Sequence, residues 1–241
     1  MSFDNSNYVL LSRQISVFRE SDVLSNNMAN SHTPGFKAGR VIFKQYVHHA
    51  TAQDRVHFNY DVLSVKDFSE GQMVKTGNTL DLALVGNAFF RIQTPDGERY
   101  SRAGNFQING LGQIVTQQGY PVLSEDGQPI VLENDLGEII IRENGTVTVG
   151  TEPIAQLGLA FFDDQQFLEP VGNNLYTATA APTAEGRYKL FQGVVELSNV
   201  ENISQMTRMV EMQHNLNAVG NFININEQLE LNAFKAFKEG V

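Results

Sequence analysis

The N-terminal part of the chain carries apolar residues at helical spacing from Tyr8 onward, behind a run of possible N-caps at residues 4–7. These apolar residues fall on two nearly opposite faces. One face includes Leu24 and Met28, and the other is formed by Tyr8, Leu11, Ile15 and Phe18. A helix on the surface of one globular domain needs a single apolar stripe, so the pattern predicts a long helix that is buried from two sides.

The middle of the chain, from about Thr76 to Gly193, has short apolar runs that are separated by turn signals. Four dipeptides that adopt positive φ at little cost recur there, at Asp96-Gly97, Asn109-Gly110, Asp126-Gly127 and Asn144-Gly145. No amphipathic segment of helical length lies between the runs, which argues against βαβ units. The pattern therefore predicts an antiparallel, meandering β-rich domain.

After Ser198-Asn199 the apolar residues return to helical spacing. A second stripe holds Phe222, Ile225 and Leu229, beside a first stripe formed by Met209, Met212, Leu216, Val219 and Ile223. Between residues 212 and 226 the chain has no Asp, Glu, Lys or Arg but five Asn. Amides can be buried where each finds a partner, whereas an unpaired charge is very costly to bury. The segment is predicted to lie in a crowded protein environment.

Together these patterns predict an α+β chain with long N- and C-terminal helices that enclose a central antiparallel β-rich domain. The terminal helices are expected at residues 1–35 and 196–241, and the β-rich outer domain at 76–195. Residues 36–75 have no clear periodicity, so we expect an extended or irregular connector there.

Composition and charge narrow the classes of partner. The formal net charge of −10 and the scattered Lys and Arg argue against nucleic acid, because phosphate binding needs clustered cations. The chain has no cysteine, which excludes disulfides, thiolate metal sites and a thiol nucleophile. It has no apolar run long enough to span a membrane and no basic-then-apolar start typical of a Sec signal peptide.

No group of residues has the spacing of an active site. The five histidines include no HxxxH or HExxH pair, and no G-x-S-x-G elbow occurs. The acid pairs Glu125-Asp126 and Asp163-Asp164 lie in predicted turns, where carboxylates are common for local reasons. We therefore expect no catalytic residue, cofactor, metal or small-molecule substrate. The alternative from another class is a periplasmic glycan-binding or hydrolytic β-domain, with an aromatic groove formed by Tyr100, Phe106 and Tyr120.

Four stretches resemble, in the right order, the signatures of the bacterial flagellar rod and hook proteins. They are SNNMANSHTPGFK at 25–37, TGNTLDLAL at 76–84, YSRAGNF at 100–106 and GVVELSNV at 193–200. The length and the opening residues 7–14 are most similar to the proximal-rod subgroup, which has a single β-domain. The distal-rod and hook subgroups remain alternatives.

This resemblance implies a structural subunit of the basal-body rod, not an enzyme, in a helical shaft that transmits torque. In the family the terminal helices pair as a coiled coil and stack with copies of the same protein and with other rod proteins. The resemblance also implies a periplasmic location in the basal body, reached through the flagellar type III export apparatus without a cleaved signal peptide.

The same resemblance implies a set of assembly residues. In the N-terminal helix and the joint after it they are Leu11, Ile15, Phe18, Asn27, Asn30, Thr33, Pro34, Gly35 and Phe36. In the C-terminal helix they are Ser198, Asn199, Val200, Met209, Met212, Leu216, Val219 and Ile223. Pro34 and Gly35 are predicted to end the first helix, after which Phe36 would dock on a neighbouring helix.

Overall fold

The computed structural model describes the backbone of residues 3–51, 54–132, 137–183 and 186–239. Side chains are described from Ser12 onward, apart from residues 43–63, the gaps above and several positions after 225. The chain forms two compact units. The helix–hairpin unit comprises residues 1–29, 39–67 and 201–241, and the β unit comprises residues 30–38 and 68–200.

The helix–hairpin unit contains two helices and one long hairpin. Helix α1 spans Phe3–Ala29 and helix α2 spans Asn202–Glu239. Strands β1 (Gly39–Thr51) and β2 (Asp54–Lys66) pair antiparallel, with Gly39 opposite Lys66 and an irregularity between Ile42 and Phe43. Helix α1 contacts α2 and both strands of the hairpin.

The predicted coiled coil of the two terminal helices is wrong. The described chain is dominated by its sixteen strands, and its two helices do not pair as a coiled coil. A coiled coil needs apolar side chains at regular positions along the seam. On α1 the buried positions include the polar Ser16 and Asn27, whereas Ile15 and Phe18 are 46% and 51% exposed. The hairpin also contacts α1, so that helix does not rely on α2 alone for packing.

The hairpin lies in the segment for which the sequence predicts an extended or irregular connector. Residues 36–75 contain the 13-residue strands β1 and β2 and the short strand β3 (Met73–Lys75). The sequence of β1 is rich in β-branched and aromatic residues, as is typical of strands. Opposite Ile42 and Phe43, strand β2 carries one extra residue, Val62. The apolar alternation of β2 therefore changes phase, from Val56-Phe58-Tyr60 to Leu63-Val65, which hides it from a search for period two.

The β unit is built entirely from antiparallel pairs among its described strands. The first seven after β3 are β4 (Leu82–Gly86), β5 (Ala88–Thr94), β6 (Gly97–Ser101), β7 (Gln107–Ile108), β8 (Ile114–Val115), β9 (Ile139–Ile141) and β10 (Thr146–Val149). The remaining ones are β11 (Glu152–Gln156), β12 (Leu159–Phe161), β13 (Leu168–Gly172), β14 (Leu175–Ala178), β15 (Tyr188–Gln192) and β16 (Val194–Glu196). A 3₁₀ turn at Gln165–Phe167 precedes β13.

These strands form one five-stranded sheet, one three-stranded sheet and three strand pairs. The five-stranded sheet has the order β12-β5-β6-β14-β13, and the three-stranded sheet has the order β11-β10-β9. The pairs are β15-β4, β16-β3 and β7-β8. A large aliphatic cluster that includes Leu84, Phe90 and Ile114 forms the main core, and a smaller aromatic cluster contains Phe89, Phe162 and Tyr176.

Candidate assembly site in the loop after α1

The loop at residues 30–38 follows α1 and belongs to the β unit. Helix α1 ends at Ala29, five residues before Pro34. The backbone N–H of Thr33 donates to the carbonyl of Asn30 at 3.1 Å, and the N–H of Phe36 donates to the carbonyl of Thr33 at 3.2 Å. The loop is therefore a hydrogen-bonded double turn that ends the helix, as Pro and Gly at these positions favour.

Gly35 lies directly against the backbone of the YSRAGNF segment. It has a φ of +67°, and a Cβ at this position would lie 2.4 Å from the nitrogen of Ala103 and 2.5 Å from the carbonyl carbon of Arg102. Its N–H donates to the carbonyl of Glu196 at 2.8 Å. Only glycine combines this φ with so close an approach, so position 35 is fixed by the contact as well as by the turn.

The next two residues of the loop are buried. Phe36 is 6% exposed and Lys37 is 1% exposed. The Lys37 ammonium donates to Glu196 Oε1 at 2.6 Å and to the carbonyl of Ser69 at 2.8 Å. Glu196 Oε1 also accepts the N–H of Gly71 at 2.9 Å. Burial lowers the pKa of Lys37 below its ordinary value of 10.5, and the Glu196 carboxylate opposes that shift.

Arg102 adds a second buried cation next to this ion pair. It is 1% exposed, and its Nη1 donates to the carbonyl of Leu84 at 3.0 Å while its Nη2 donates to the carbonyl of Gly86. The guanidinium lies over the ring of Phe89, 4.9 Å from its centroid. Burial lowers the pKa of Arg102, and the carboxylate of Glu196 opposes this. We call Ser69, Gly71, Arg102, Ala103, Glu196 and Asn199 the loop socket.

The side-chain amide of Asn199 joins the end of the loop to Ser69. Its Oδ1 accepts the N–H of Ala38 at 2.8 Å, and its Nδ2 donates to the carbonyl and hydroxyl oxygens of Ser69, each at 3.1 Å. The hydroxyl of the preceding Ser198 accepts the N–H of Val200 at 3.2 Å. The SNV segment thus joins three stretches of chain that are far apart in sequence.

Asn27 makes an equivalent contact within the helix–hairpin unit. Its Nδ2 donates to the carbonyl of Gly39 at 2.9 Å, and its Oδ1 accepts the N–H of Gly39 at 2.8 Å. The same Nδ2 donates to Gln205 Oε1 at 3.3 Å. This buried side chain therefore connects α1, the start of β1 and the first turn of α2.

Some of the predicted assembly residues lie together around the loop socket, whereas those on the two helices do not. The joint residues Asn30, Thr33, Pro34, Gly35 and Phe36 and the segment Ser198, Asn199 and Val200 all belong to the β unit, around the socket. On α2, Met212 and Val219 are buried, whereas Met209, Leu216 and Ile223 are half-buried. Leu11 lies outside the described side chains, and Ile15 and Phe18 are exposed.

One residue of the loop and two of the socket were not among the predicted site residues, although they stand in the motif stretches. Lys37 closes the first stretch, Arg102 lies in the third and Glu196 in the fourth. A charged residue inside an otherwise apolar or polar uncharged motif is a usable signal, because a buried charge needs a partner. The identity of the partner could not be read from sequence, since Lys37 and Glu196 are 159 positions apart.

The residues proposed for a glycan groove have other roles. Tyr100 and Phe106 are buried in the two core clusters. The Asp164 carboxylate accepts the N–H of Gln166 at 2.9 Å and so caps the 3₁₀ turn. In the described part of the chain, no cluster of three or more His, Cys, Asp or Glu could hold a metal ion. None of the helices described is both long and apolar enough to cross a membrane.

Comparison with known proteins shows two levels of similarity. Residues 83–149 match the family model described as the flagellar hook protein FlgE/F/G D1 domain. The flagellar basal-body rod protein FlgF of Caulobacter vibrioides is 35% identical over 236 residues, which are 95% of this chain and 96% of that protein. The flagellar basal-body rod protein FlgG of Bacillus subtilis is 32% identical, over 86% of this chain and 89% of that protein.

Proposed function

The chain belongs to the flagellar basal-body rod proteins and is a structural subunit of the rod, and we propose how it is held there. Its helices bind neighbouring subunits through apolar side chains that are exposed in the single chain. The observation that carries this proposal is the surface of α2. Seven of its large apolar residues are more than half exposed: Ile203, Met206, Val210, Phe222, Ile225, Leu229 and Leu231. So much exposed apolar surface on one helix is typical of an interface with another chain.

Two triplets among these residues have helical spacing. Ile203, Met206 and Val210 follow an i, i+3, i+7 pattern. The same pattern recurs nearer the end of the helix at Phe222, Ile225 and Leu229. Residues at this spacing lie on one face of a helix, where the apolar side chain of a neighbour can cover all three. Met212 and Val219, which are buried within the single chain, fall on a different face. The partners are proposed to be copies of this chain and other rod proteins.

The finer assignments are also proposals. The length of the chain and its opening residues 7–14, which resemble the proximal-rod subgroup, support a place in the proximal rod rather than the distal rod or the hook. The basal-body location is that of the family. From the proposed place in the shaft we also infer a periplasmic position and a role in transmitting torque. Export is proposed to run through the flagellar type III apparatus, without a cleaved signal peptide. The terminal segments 1–35 and 196–241 are proposed to form the rod core.

A pair of matched variants tests the role of α2 in assembly. The triple variant Phe222→Ser, Ile225→Ser and Leu229→Ser removes the second apolar triplet. The control changes Asn217, Asn221 and Asn224 to Ser, at exposed positions of the same segment. Hook–basal bodies are purified from cells carrying each variant and the chain is quantified by mass spectrometry.

The expected result is a loss of the apolar variant from basal bodies by more than tenfold, with the control retained at the wild-type amount. A chain ending after Ala218 should also be lost. Equal retention of both triple variants would show that these apolar residues do not hold the subunit in the rod.

A further inference from the structure

Three buried charges meet in the loop socket, and their charges do not balance. Lys37, Arg102 and Glu196 are each 1% exposed. Two are cations and one is an anion, so the buried carboxylate of Glu196 acts on two positive groups, and the exposed carboxylate of Glu70 adds a smaller attraction to both. A buried cation without a counter-charge is costly, so each cation gains from access to this carboxylate.

Glu196 is bound to only one of the two cations in this structure. Its Oε1 pairs with Lys37 and with the N–H of Gly71, whereas its Oε2 has no hydrogen-bond partner among the described residues. The Nε of Arg102 is likewise buried without a hydrogen-bond partner in the described structure. Arg102 thus has a buried donor and Glu196 a buried acceptor that make no hydrogen bond in the described structure, although the two residues attract each other electrostatically.

The loop that carries Lys37 has two buried apolar residues, Phe36 and Ala38, but neither belongs to the two core clusters of its unit. Neither of the two described core clusters includes a residue of 30–38. Besides the burial of Phe36, polar contacts bind the loop: the N–H of Gly35 donates to the Glu196 carbonyl, Lys37 pairs with Glu196, the N–H of Ala38 donates to Asn199, and the side-chain amide of Asn174 donates to the carbonyl of Pro34 at 3.0 Å. Leaving the socket would therefore expose Phe36 and Ala38 to solvent but would remove no member of the two core clusters.

We propose that Glu196 is a two-position latch, which binds Lys37 when the loop is docked in the socket and binds Arg102 when the loop is released. In the released state, Arg102 Nε donates to the carboxylate, so the charge that Lys37 leaves behind is neutralised by a residue of the β unit itself. The β unit thereby keeps a stable fold with the loop in or out. This inference concerns the β unit alone and is independent of the proposed contacts of α2.

The docked and released states differ in which amides are protected. In the docked state the N–H groups of Gly35 and Ala38 are bonded to Glu196 and Asn199. Core amides such as those of Leu82 and Ile114 are bonded to carbonyls of Gly104 and Ile130 and do not involve the loop. Release of the loop should speed exchange at the first pair of amides and leave the second pair unchanged.

The test is amide hydrogen exchange on the full-length chain with Lys37→Met, which keeps an unbranched side chain and removes the terminal ammonium with its charge. Exchange at Gly35 and Ala38 is expected to rise by more than tenfold, with Leu82 and Ile114 unchanged. The control Arg91→Met breaks the Arg91–Glu98 ion pair in the same unit and should not speed exchange at Gly35 and Ala38 more than at Leu82 and Ile114. Equal acceleration of loop and core, or no acceleration at Gly35 and Ala38, would overturn the proposal.

The change of partner is tested by the NMR signal of the Arg102 Nε–H. In Lys37→Met this signal should move downfield and exchange more slowly with solvent, because the proton becomes bonded to a carboxylate. The shift should disappear in Lys37→Met with Glu196→Gln. Gly35→Ala releases the loop by a steric clash and keeps all three charges, so it should produce the same Arg102 shift. An Arg102 signal that is unchanged in both single variants would rule the latch out.

Discussion

The side chain of Asn199 accepts the backbone N–H of Ala38 at 2.8 Å across 161 positions of sequence. The same amide donates to Ser69, so one residue joins the loop after α1, the segment before β3 and the segment before α2. Asparagine carries its donor and its acceptor on two separate atoms, so it can bond to Ser69 and to Ala38 at the same time. The geometry therefore explains why asparagine, in particular, occupies this position of the SNV motif.

Replacing Asn199 with Asp should destabilise the chain although the two side chains have the same shape. The carboxylate can still accept from Ala38, but it cannot donate to Ser69 and places a negative charge beside the Ser69 carbonyl. We expect a loss of about 1–2 kcal/mol in the free energy of unfolding, measured by urea denaturation. Asn217→Asp, at an exposed position of α2, is the control and should change the free energy of unfolding by less than about 0.5 kcal/mol. Equal stability of Asn199→Asp and the wild type would contradict this role.

Gly35→Ala separates the effect of a steric clash from that of backbone conformation. The added Cβ would lie 2.4 Å from Ala103, and φ is +67°. Gly77 has a similar φ of +79° with nothing within 4 Å of its Cβ position, so Gly77→Ala carries the conformational strain alone. Gly77→Ala should cost about 1 kcal/mol, and Gly35→Ala at least about 2 kcal/mol more, in thermal or urea unfolding. Similar losses for the two variants would show that the Arg102–Ala103 backbone yields to the added methyl group.

The sequence predicted local features of the fold better than its long-range ones. The turn at Thr33-Pro34-Gly35 and the strand at Ile139–Ile141 depend on residues that are adjacent in the chain, so their types alone predict them. The hairpin of β1 and β2 was missed because the alternation of β2 changes phase at Val62. Periodicity is informative only while register is kept.

The candidate site shows the same limit. The motif residues Gly35 and Asn199 could be singled out, but neither the partner of Lys37 nor the burial of Arg102 follows from spacing. The coiled coil implied by family resemblance failed for another reason. Two apolar stripes on a helix predict burial from two sides, but they do not say whether a helix, a hairpin or another subunit covers each one.

The ion pair of Arg91 and Glu98 should make a small contribution to acid stability. The Arg91 side chain bonds to both carboxylate oxygens of Glu98, at 2.7 and 2.9 Å, which lowers the pKa of Glu98 below its ordinary value of 4.5. A lowered carboxylate pKa contributes stability that is present above pH 4.5 and is lost as the pH falls through the folded-state value. Because the pair is partly exposed, Arg91→Met should lower the free energy of unfolding at pH 7 by at most about 1 kcal/mol. The difference should shrink below pH 4, and a difference that persists at pH 2 would show that packing, not charge, is responsible.

Tyr176 should make the chain sensitive to alkaline pH. It lies in the aromatic cluster, 2% exposed, with its ring centroid 5.4 Å from that of Phe68. Burial raises the pKa of Tyr176 well above its ordinary value of 10.0. The folded chain therefore keeps the phenol proton while the unfolded chain releases it, so stability is lost as the pH rises above 10.

Tyr176→Phe removes this titration and keeps the ring in the cluster. Below pH 9 the free energies of unfolding of the variant and the wild type should differ by a constant amount. Above pH 10 the wild type should lose up to about 1.4 kcal/mol more per pH unit than the variant, so the two urea-denaturation curves approach or cross. A constant difference from pH 8 to pH 11.5 would mean that the phenol of Tyr176 ionises as readily in the folded chain as in the unfolded one.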